Sequence, residues 1–343
     1  MITKPRIVIY GTGQYGGFVA RFALQKGWPI VAAFNRAGNK VGQDLGRVAG
    51  LGKDIGVIIQ DCDTGDYDAL KGKADIGVVV MTNEFKKNMP AYTRLMNAGL
   101  NVICHGTEAY FPWGNDKTLC NQIDEMAKKN GVTFTGGGIW DTSRIWSGIL
   151  LCGPCTEIKS LFHRSITDPN GQAQHKEQAI AHIGLGLTVE EFNKRGFGKD
   201  PMAASYKTIP EQVLWAQGYT ITKTSSHIEP VVFKEPLYSS LLGDTIPPGN
   251  VIGTRIIGEI ETKEGVTARA EVELRAFRPD EVEHMYWEVN GKPVTRIRVE
   301  RENSAHATAS NLFNRIPDVI AARPGIVVVS EMGPLKPTAP IAT

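Results

Sequence analysis

A glycine-rich turn near the start of the chain has the residue types and spacing that bind phosphate groups. Its residues are Gly11, Thr12, Gly13, Gln14, Tyr15 and Gly16. The turn follows an apolar run at residues 6–10 and precedes an apolar pattern of helical period at residues 17–27. In such a turn the first glycine permits the tight bend, the second admits a pyrophosphate, and the third lets helix and strand pack closely. The sequence therefore predicts a dinucleotide site at a helix N-terminus, with an ordinary strand–helix turn as the alternative.

The end of the next apolar run, residues 30–34, indicates which dinucleotide binds. Proteins that bind NAD usually place Asp or Glu about 20 residues after the glycines, where it binds the ribose 2′-OH. Here Asn35 and Arg36 take that place, and no carboxylate follows as far as Lys40. A guanidinium suits a 2′-phosphate because it forms paired, charge-assisted hydrogen bonds. We predict NADP as the cofactor, with NAD as the second choice; the alternative is that Arg36 is only a solvated loop charge.

Glu108 is the residue best suited to transfer protons. It follows an apolar strand predicted over residues 101–104 and the tripeptide His105-Gly106-Thr107. Ligands of open α/β sheets bind beyond the carboxyl ends of the strands, so the reacting ring of a dinucleotide is expected there. Three aromatic residues follow within five positions. A carboxylate in such surroundings suits general acid–base catalysis, whereas a solvated loop glutamate is the alternative.

Further candidate site residues follow from their positions at strand ends and from their aromatic or basic character. Met81, Thr82 and Asn83 end a buried strand predicted over residues 74–81, and with His105 they are expected to contact the cofactor. The predicted substrate-binding residues are Trp140, Trp146, Phe162, Arg164 and His306. The aromatic residues equally fit core packing. Arg164, or Arg144 between the two tryptophans, is suited to a substrate carboxylate.

The elements that position these residues predict an α/β dinucleotide-binding domain of the Rossmann type followed by an α+β domain. Strands alternate with helices up to residue 146, which favours a parallel, doubly wound sheet. Later strands at 157–167, 255–261, 268–277 and 283–289, and a hairpin turning at Asn290-Gly291 into 293–300, indicate a mostly antiparallel sheet. A helix is predicted at 189–195 and a long loop at 237–248. The expected domains are 1–146 for dinucleotide binding, 147–302 for substrate and dimerisation, and 303–343, a helix and strand that pack back on the first domain.

Composition excludes several classes of protein. The 343 residues are 42% hydrophobic and 22% charged with a net charge of +2, and no basic run marks a nucleic-acid or membrane surface. No apolar stretch reaches the roughly 18 residues of a membrane span, and the N-terminus lacks the features of a signal peptide. Five cysteines are too few for a disulfide framework. We therefore expect a cytoplasmic protein.

Two cysteine motifs carry no predicted chemistry. Cys104-His105 has no second pair at zinc spacing, so no metal site is predicted. Cys152-Gly153-Pro154-Cys155 follows a helix, so no redox pair is predicted.

Four segments in this order resemble a known family. They are GTGQYG, CHGTE, GGGIWD and ATASNLFNRIPDVIAARPGIV. Together they are similar to the 2,4-diaminopentanoate dehydrogenase family and its relatives, the native amine dehydrogenases, whose architecture is that of dihydrodipicolinate reductase-like proteins. The likeness spans nearly the whole chain and is most specific over residues 1–146 and 300–330. It implies reversible oxidative deamination with NAD(P), ammonia as co-product and a homodimer, and it places the family's catalytic carboxylate on Glu108.

The resemblance leaves several functions open. The favoured prediction is an amine dehydrogenase that interconverts a small amine with its ketone or aldehyde and ammonia. The alternatives are a 2,4-diaminopentanoate dehydrogenase acting on an amino acid, a non-catalytic NADP-binding sensor, and an ordinary alcohol dehydrogenase. The paired histidines and lysine of dihydrodipicolinate reductase and the Glu-Lys-Pro of inositol dehydrogenases are absent from the corresponding positions. Neither of those two chemistries is therefore predicted.

Overall fold

A computed structural model describes residues 4–169, 176–197 and 205–338. Within these residues the chain forms two compact units, which divide after Thr142 and after Ser304. The first unit comprises residues 4–142 and 305–338, and the second comprises the described residues between them. Part of the segment at 170–250, whose contacts the sequence does not assign, lies outside the described residues.

The described residues contain short strands and helices in alternation at first, and longer strands later. The strands are β1 (Ile7–Tyr10), β2 (Ile30–Asn35), β3 (Ile59–Asp61), β4 (Ile76–Val79), β5 (Asn101–Cys104), β6 (Thr133–Gly136), β7 (Glu157–Thr167), β8 (Ile221–Val232), β9 (Leu237–Ser239), β10 (Asp244–Ile246), β11 (Val251–Thr262), β12 (Thr267–Arg275), β13 (His284–Lys292), β14 (Thr295–Glu300) and β15 (Gly325–Ile326). The α-helices are α1 (Gln14–Gln25), α2 (Leu45–Val48), α3 (Phe85–Asn97), α4 (Lys117–Asn130), α5 (Ser147–Cys152), α6 (Lys176–Ile183), α7 (Val189–Arg195), α8 (Thr208–Ala216) and α9 (Ser304–Ala321).

The first unit is built on a parallel sheet. Its strands have the order β15-β6-β5-β4-β1-β2-β3 in the described chain, and every neighbouring pair is parallel. The strands β1 and β4 are buried at every position, as expected for a sheet covered on both faces. The strand order reverses between β1 and β4, which defines the crevice where open α/β sheets bind ligands. The predicted Rossmann architecture is confirmed, and β15 pairs with β6 in the same sheet.

The second unit contains a mixed sheet, in which antiparallel pairing predominates as predicted. The described strands have the order β14-β13-β7-β12-β11-β8, and β7–β12 is the parallel pair. The strand β7 alternates, because Leu161, His163 and Ser165 are buried on one face while Phe162 and Arg164 are half-buried on the other. No helix of the described residues is both long enough and apolar enough to cross a bilayer.

Two local predictions for the second unit are wrong. The segment 237–248, predicted as a loop, contains the antiparallel pair β9–β10. The predicted turn at Asn290-Gly291 is instead part of β13, which continues to Lys292. Gly291 pairs with Ile158 of β7, and a Cβ on it would lie 2.3 Å from the Glu157 carbonyl oxygen. The glycine therefore admits a neighbouring strand, and the chain reverses after it.

The sequence from Met89 predicts a helix that ends near Gly99, whereas α3 begins four residues earlier, at Phe85. In the structure Pro90 lies inside α3, and Phe85 begins the helix. The backbone amide of Phe85 donates to the carboxylate of Glu108, a contact between residues 23 positions apart. This hydrogen bond, whose acceptor is distant in sequence, stabilises a first turn of α3 that begins at Phe85.

Candidate active site

The glycine-rich turn joins β1 to α1, and each glycine has a distinct steric reason. Gly11 has φ +107°, and a Cβ on it would lie 2.6 Å from the carbonyl oxygen of Val80. A Cβ on Gly16 would lie 2.1 Å from the carbonyl oxygen of Gly11, so this position requires close packing. Beside Gly13, in contrast, no heavy atom of the described chain lies within 4 Å of a Cβ position. Gly13, the residue at the N-cap of α1, has no side chain to cap the helix. The turn thus leaves open the place that a pyrophosphate would take and presents helix amides toward it.

The remaining residues of the turn connect it to neighbouring strand ends. The backbone amide of Thr12 donates to Asn35 Oδ1 at 3.3 Å, which ties the turn to the end of β2. Gln14 is exposed. The half-buried Tyr15 places its ring centroid 5.0 Å from that of His105. Arg36 follows β2 directly and is exposed.

The ends of β4 and β5 lie at the same edge of the sheet as the glycine turn, because β5, β4 and β1 are consecutive parallel strands. Met81 and Thr82 are half-buried just beyond β4, and Asn83 is exposed. His105 follows β5, and its Nδ1 is buried without a hydrogen-bond partner in the described chain. Burial lowers the pKa of His105 to about 4, so the imidazole is neutral at physiological pH. The predicted cofactor residues are therefore grouped around one crevice of the first unit.

Glu108 is fixed at this edge through its side chain and its backbone. It is half-buried on a short 3₁₀ turn, Thr107–Ala109, and its Oε2 accepts from the Phe85 amide at 2.6 Å. Its own amide donates to the Asn83 carbonyl oxygen at 3.3 Å, and Asn115 Nδ2 donates to its carbonyl oxygen at 2.9 Å. The N-terminus of α3 stabilises a negative charge on the carboxylate. Within the described residues no hydrogen bond reaches Oε1, so one carboxylate oxygen is available for proton transfer.

A buried polar network, which the sequence analysis did not identify, holds the segments that follow β4 and β5 in place. Cys104 Sγ accepts from Tyr92 Oη at 3.0 Å and from the Gly106 amide at 3.2 Å. Asn88 Nδ2 donates to the Thr82 carbonyl oxygen at 2.8 Å. Burial raises the pKa of the Cys104 thiol to about 11, so the sulfur stays neutral and serves as an acceptor. Apolar spacing alone gives no signal for such a network, since Asn88 and Tyr92 follow the helical period of core residues.

The predicted substrate residues are distributed over both units. In the first unit, Trp140 is buried against Tyr110 with ring centroids 4.8 Å apart, and His306 is exposed with its ring 5.2 Å from that of Phe22. In the second unit, Trp146 is half-buried at the end of a π-helical turn, Asp141–Trp146. These positions do not test the predicted roles in substrate binding, which stay predictions.

The two faces of β7 differ in what they offer a ligand. Phe162 and Arg164 share one face, where Arg164 forms a 2.6 Å ion pair with Glu271 that already neutralises its charge. On the opposite face His163 is fully buried, and neither of its ring nitrogens has a hydrogen-bond partner in the described part of the chain. Arg144 is buried there too, and its Nη2 donates to Ser165 Oγ at 3.1 Å. Along β7, His163 alternates onto the same face as the buried Leu161. This alternation is the signal that could have identified His163 as a buried polar residue.

The Cys152–Cys155 pair lies at the C-terminal end of α5. Burial raises the pKa of Cys152 to about 12, which disfavours the thiolate. A redox pair requires the opposite, a thiol at a helix N-terminus with a lowered pKa. The local environment is that of a structural cysteine.

Two segments of the first unit that are distant in sequence meet in a buried ion pair. Arg315 of α9 donates to both carboxylate oxygens of Asp141, at 2.7 and 2.8 Å, and both side chains are fully buried. Burial raises the pKa of Asp141, and Arg315 opposes that rise. The bidentate pair fixes α9 to the segment that follows β6.

A parallel sheet whose first strand leads into a glycine-rich turn, combined in one chain with a unit built on a mixed sheet, defines the class of two-domain dehydrogenases that bind a nicotinamide dinucleotide. A probable dehydrogenase from Thermotoga maritima shares this fold, with a TM-score of 0.58 and 14% identity over 95% of this chain and 93% of that one. An amine dehydrogenase from Mycobacterium smegmatis is more similar, with a TM-score of 0.81 and 30% identity over 98% of each chain.

The sequence comparisons agree with this class. The family of the 2,4-diaminopentanoate dehydrogenase C-terminal domain matches residues 148–339. The 2,4-diaminopentanoate dehydrogenase of Acetoanaerobium sticklandii is 27% identical over 94% of this chain and 92% of its own length. The chain therefore belongs to the 2,4-diaminopentanoate dehydrogenase family, and the resemblance found in its motifs is confirmed.

Proposed function

We propose that the chain catalyses the reversible, NADP-dependent oxidative deamination of a small amine to its ketone or aldehyde, with Glu108 as the catalytic residue. Family membership makes the chain an NAD(P)-dependent oxidoreductase that acts on CH–NH2 donors. The observation that carries the proposal is the position of Glu108, held by Phe85 beside the crevice of the glycine turn. When bound, the nicotinamide accepts a hydride from the amine carbon or, in the other direction, returns it.

Glu108 manages the protons of this reaction. In deamination its carboxylate takes a proton from the substrate ammonium and releases that proton to solvent, so that the ionised group stabilises the positive charge of the iminium that remains after hydride loss. It then takes a proton from the water that attacks the iminium carbon and returns this proton to the nitrogen, which becomes the leaving group. The water oxygen becomes the carbonyl oxygen, and the nitrogen leaves as ammonia. The reverse reaction consumes ammonia and a carbonyl compound. The free Oε1 supports these roles, because the hydrogen bond from Phe85 fixes Oε2 and orients the carboxylate.

A second candidate is the deamination of an amino acid that carries a distal carboxylate. It is favoured by the buried polar groups on one face of β7, where Arg144 and His163 lie together and burial and Arg144 lower the pKa of His163. A guanidinium in such a setting pairs well with a carboxylate. Arg164 is less suited to this role because Glu271 already pairs with it. The many aromatic residues among the predicted substrate ligands favour the simple amine or ketone as the first choice.

An assay of NADPH oxidation with carbonyl compounds, with and without ammonium, tests the proposal. We expect turnover that requires ammonium and NADPH together. Turnover without ammonium would identify an alcohol dehydrogenase, and NADPH binding without any turnover would identify a sensor. Either result would overturn the proposal.

The proposal also includes an assembly, a location and a role for each unit. We infer a homodimer in the cytoplasm, in which the first unit binds the dinucleotide and the second unit serves in substrate binding and dimerisation. The family resemblance supports the dimer, and the composition of the chain supports the location. Light scattering coupled to size-exclusion chromatography would measure the mass, and a monomer would contradict this part of the proposal.

A further inference from the structure

A concave surface beside the glycine turn is lined by two basic side chains. The cavity has a volume of about 280 Å³. Its described lining residues include no carboxylate and are Thr12, Gly13, Gln14, Gly17, Phe18, Arg21, Lys40, Val48 and Ala49. A concave site with cationic walls and no acidic group favours an anion.

Lys40 is directed at the turn itself. Its Nζ donates to the carbonyl oxygen of Thr12 at 3.0 Å. The amide of the same Thr12 donates to Asn35 Oδ1 at 3.3 Å, so Lys40 and the end of β2 meet at one residue of the turn. The end of β2 is where this fold recognises the ribose 2′ position.

Thr12 supplies an independent sign of a missing ligand. The residue is only 3% exposed, and its Oγ1 is buried without a hydrogen-bond partner in the described ranges. A buried hydroxyl of this kind favours a ligand that pairs with it, because a polar group left unpaired in the interior is destabilising. Thr12 is also one of the residues that line the cavity.

We propose that Lys40 is a specificity-determining residue of the chain, which binds the 2′-phosphate of NADP together with Arg36. This inference rests on the NADP preference in the proposed function. Arg36 is exposed and does not line the cavity, whereas Lys40 is half-buried in its wall. The ammonium of Lys40 therefore provides a fixed positive charge at the turn, and Arg36 supplies a second one from solvent. The alternative role of Lys40 is to stabilise the turn through Thr12, which would affect every dinucleotide equally.

Calorimetric titration of Lys40→Met with 2′,5′-ADP, 5′-AMP, NADP and NAD separates these roles. We expect the variant to lose about 10- to 100-fold in affinity for 2′,5′-ADP and NADP, as for a hydrogen bond to a charged group, and to keep its affinity for 5′-AMP and NAD. Lys40→Arg should retain the preference because it retains the charge. Lys73→Met, at an exposed position before the N-terminal end of β4, is the matched control and should bind all four ligands as the wild type does.

Two outcomes would overturn the role of Lys40. Equal losses for NADP and NAD would show that the side chain supports the turn or the pyrophosphate, and unchanged binding of all four ligands would show that it is not a ligand. A wild-type chain that binds 2′,5′-ADP no better than 5′-AMP would contradict both this inference and the proposed NADP preference. The ammonium-dependent assay is independent of these titrations, so amine chemistry and Lys40 can fail separately.

Discussion

Glu108 Oε2 accepts a 2.6 Å hydrogen bond from the backbone amide of Phe85, the first residue of α3. The contact gives the carboxylate two functions. It satisfies an amide that would otherwise lack a partner at a helix start, since no side-chain cap comes from Glu84. It also holds the proposed catalytic group at the carboxyl edge of the parallel sheet. A substitution of Glu108 therefore changes both stability and chemistry unless it preserves the hydrogen-bond acceptor.

Glu108→Gln should separate these two functions. The amide oxygen of glutamine still accepts from Phe85, so the free energy of unfolding should change little, whereas a neutral amide cannot take the substrate proton. We expect turnover to fall at least about 100-fold, the usual contribution of a general base, with dinucleotide affinity retained. Glu108→Ala should lose the acceptor as well and destabilise the fold by about 1 kcal/mol more. Steady-state kinetics and urea unfolding measure the two effects, and a glutamine variant with most of its activity would exclude Glu108 as the catalytic residue.

The neutral His105 predicts that acid destabilises the protein. Its pKa is about 4 in the folded chain against an ordinary value of 6.5, so the unfolded chain binds more protons between these pH values. Its contribution to stability is therefore complete above pH 6.5 and is lost as the pH falls toward 4. The difference corresponds to a loss on the order of 3 kcal/mol.

Unfolding free energies measured across this pH range would show the effect of His105. His105→Asn should have a shallower dependence on pH than the wild type, while His182→Asn, at an exposed position, serves as the control. Parallel curves for the wild type and the His105 variant would refute the assignment.

Local signals were sufficient for much of the fold. The predicted ends of the helix α7 agree with the structure because Thr188 and Glu191 form a capping box at its start and Gly196 takes a left-handed conformation at its end. The strands β5 and β7 also have the predicted ends. Hydrophobic periodicity, capping residues and terminal glycines each depend on residues that are close in sequence. Elements that they define can therefore be predicted from the sequence.

Contacts between distant residues account for what the sequence did not reveal. The Asn-Gly signal of a hairpin at residues 290 and 291 was overridden by pairing with β7, which is more than 120 positions away. The start of α3 depends on Glu108, and the ammonium of Lys40 meets the turn at Thr12, 28 positions earlier. The glycine turn and Glu108 were identified as a candidate site, but the groups that hold them in place became visible only in the folded chain.

Arg36→Ala should weaken NADP binding by about 1–3 kcal/mol and leave NAD binding nearly unchanged. The physical reason is that a guanidinium just past β2 forms charge-assisted hydrogen bonds with a 2′-phosphate, which NAD lacks. Fluorescence titration with both cofactors measures the difference, and NAD is the internal control. Equal losses for the two cofactors would mean that Arg36 acts on a part that they share.

The substrate class depends on whether the substrate site is chiefly apolar or contains a buried cation. Small aliphatic or cyclic ketones and short aldehydes need chiefly an apolar cavity, to which an aromatic residue of the second unit such as Trp146 would contribute. An amino-acid ketone needs a cation for its carboxylate, and the buried Arg144, with Nη2 3.1 Å from Ser165 Oγ, is the candidate. We expect cyclohexanone and short aldehydes to have higher specificity constants than 2-amino-4-oxopentanoate when each is assayed with ammonium and NADPH. A specificity constant far higher for the amino-acid ketone would instead make the chain a diaminopentanoate dehydrogenase, and Arg144→Met should then raise the KM of that substrate while leaving that of cyclohexanone unchanged.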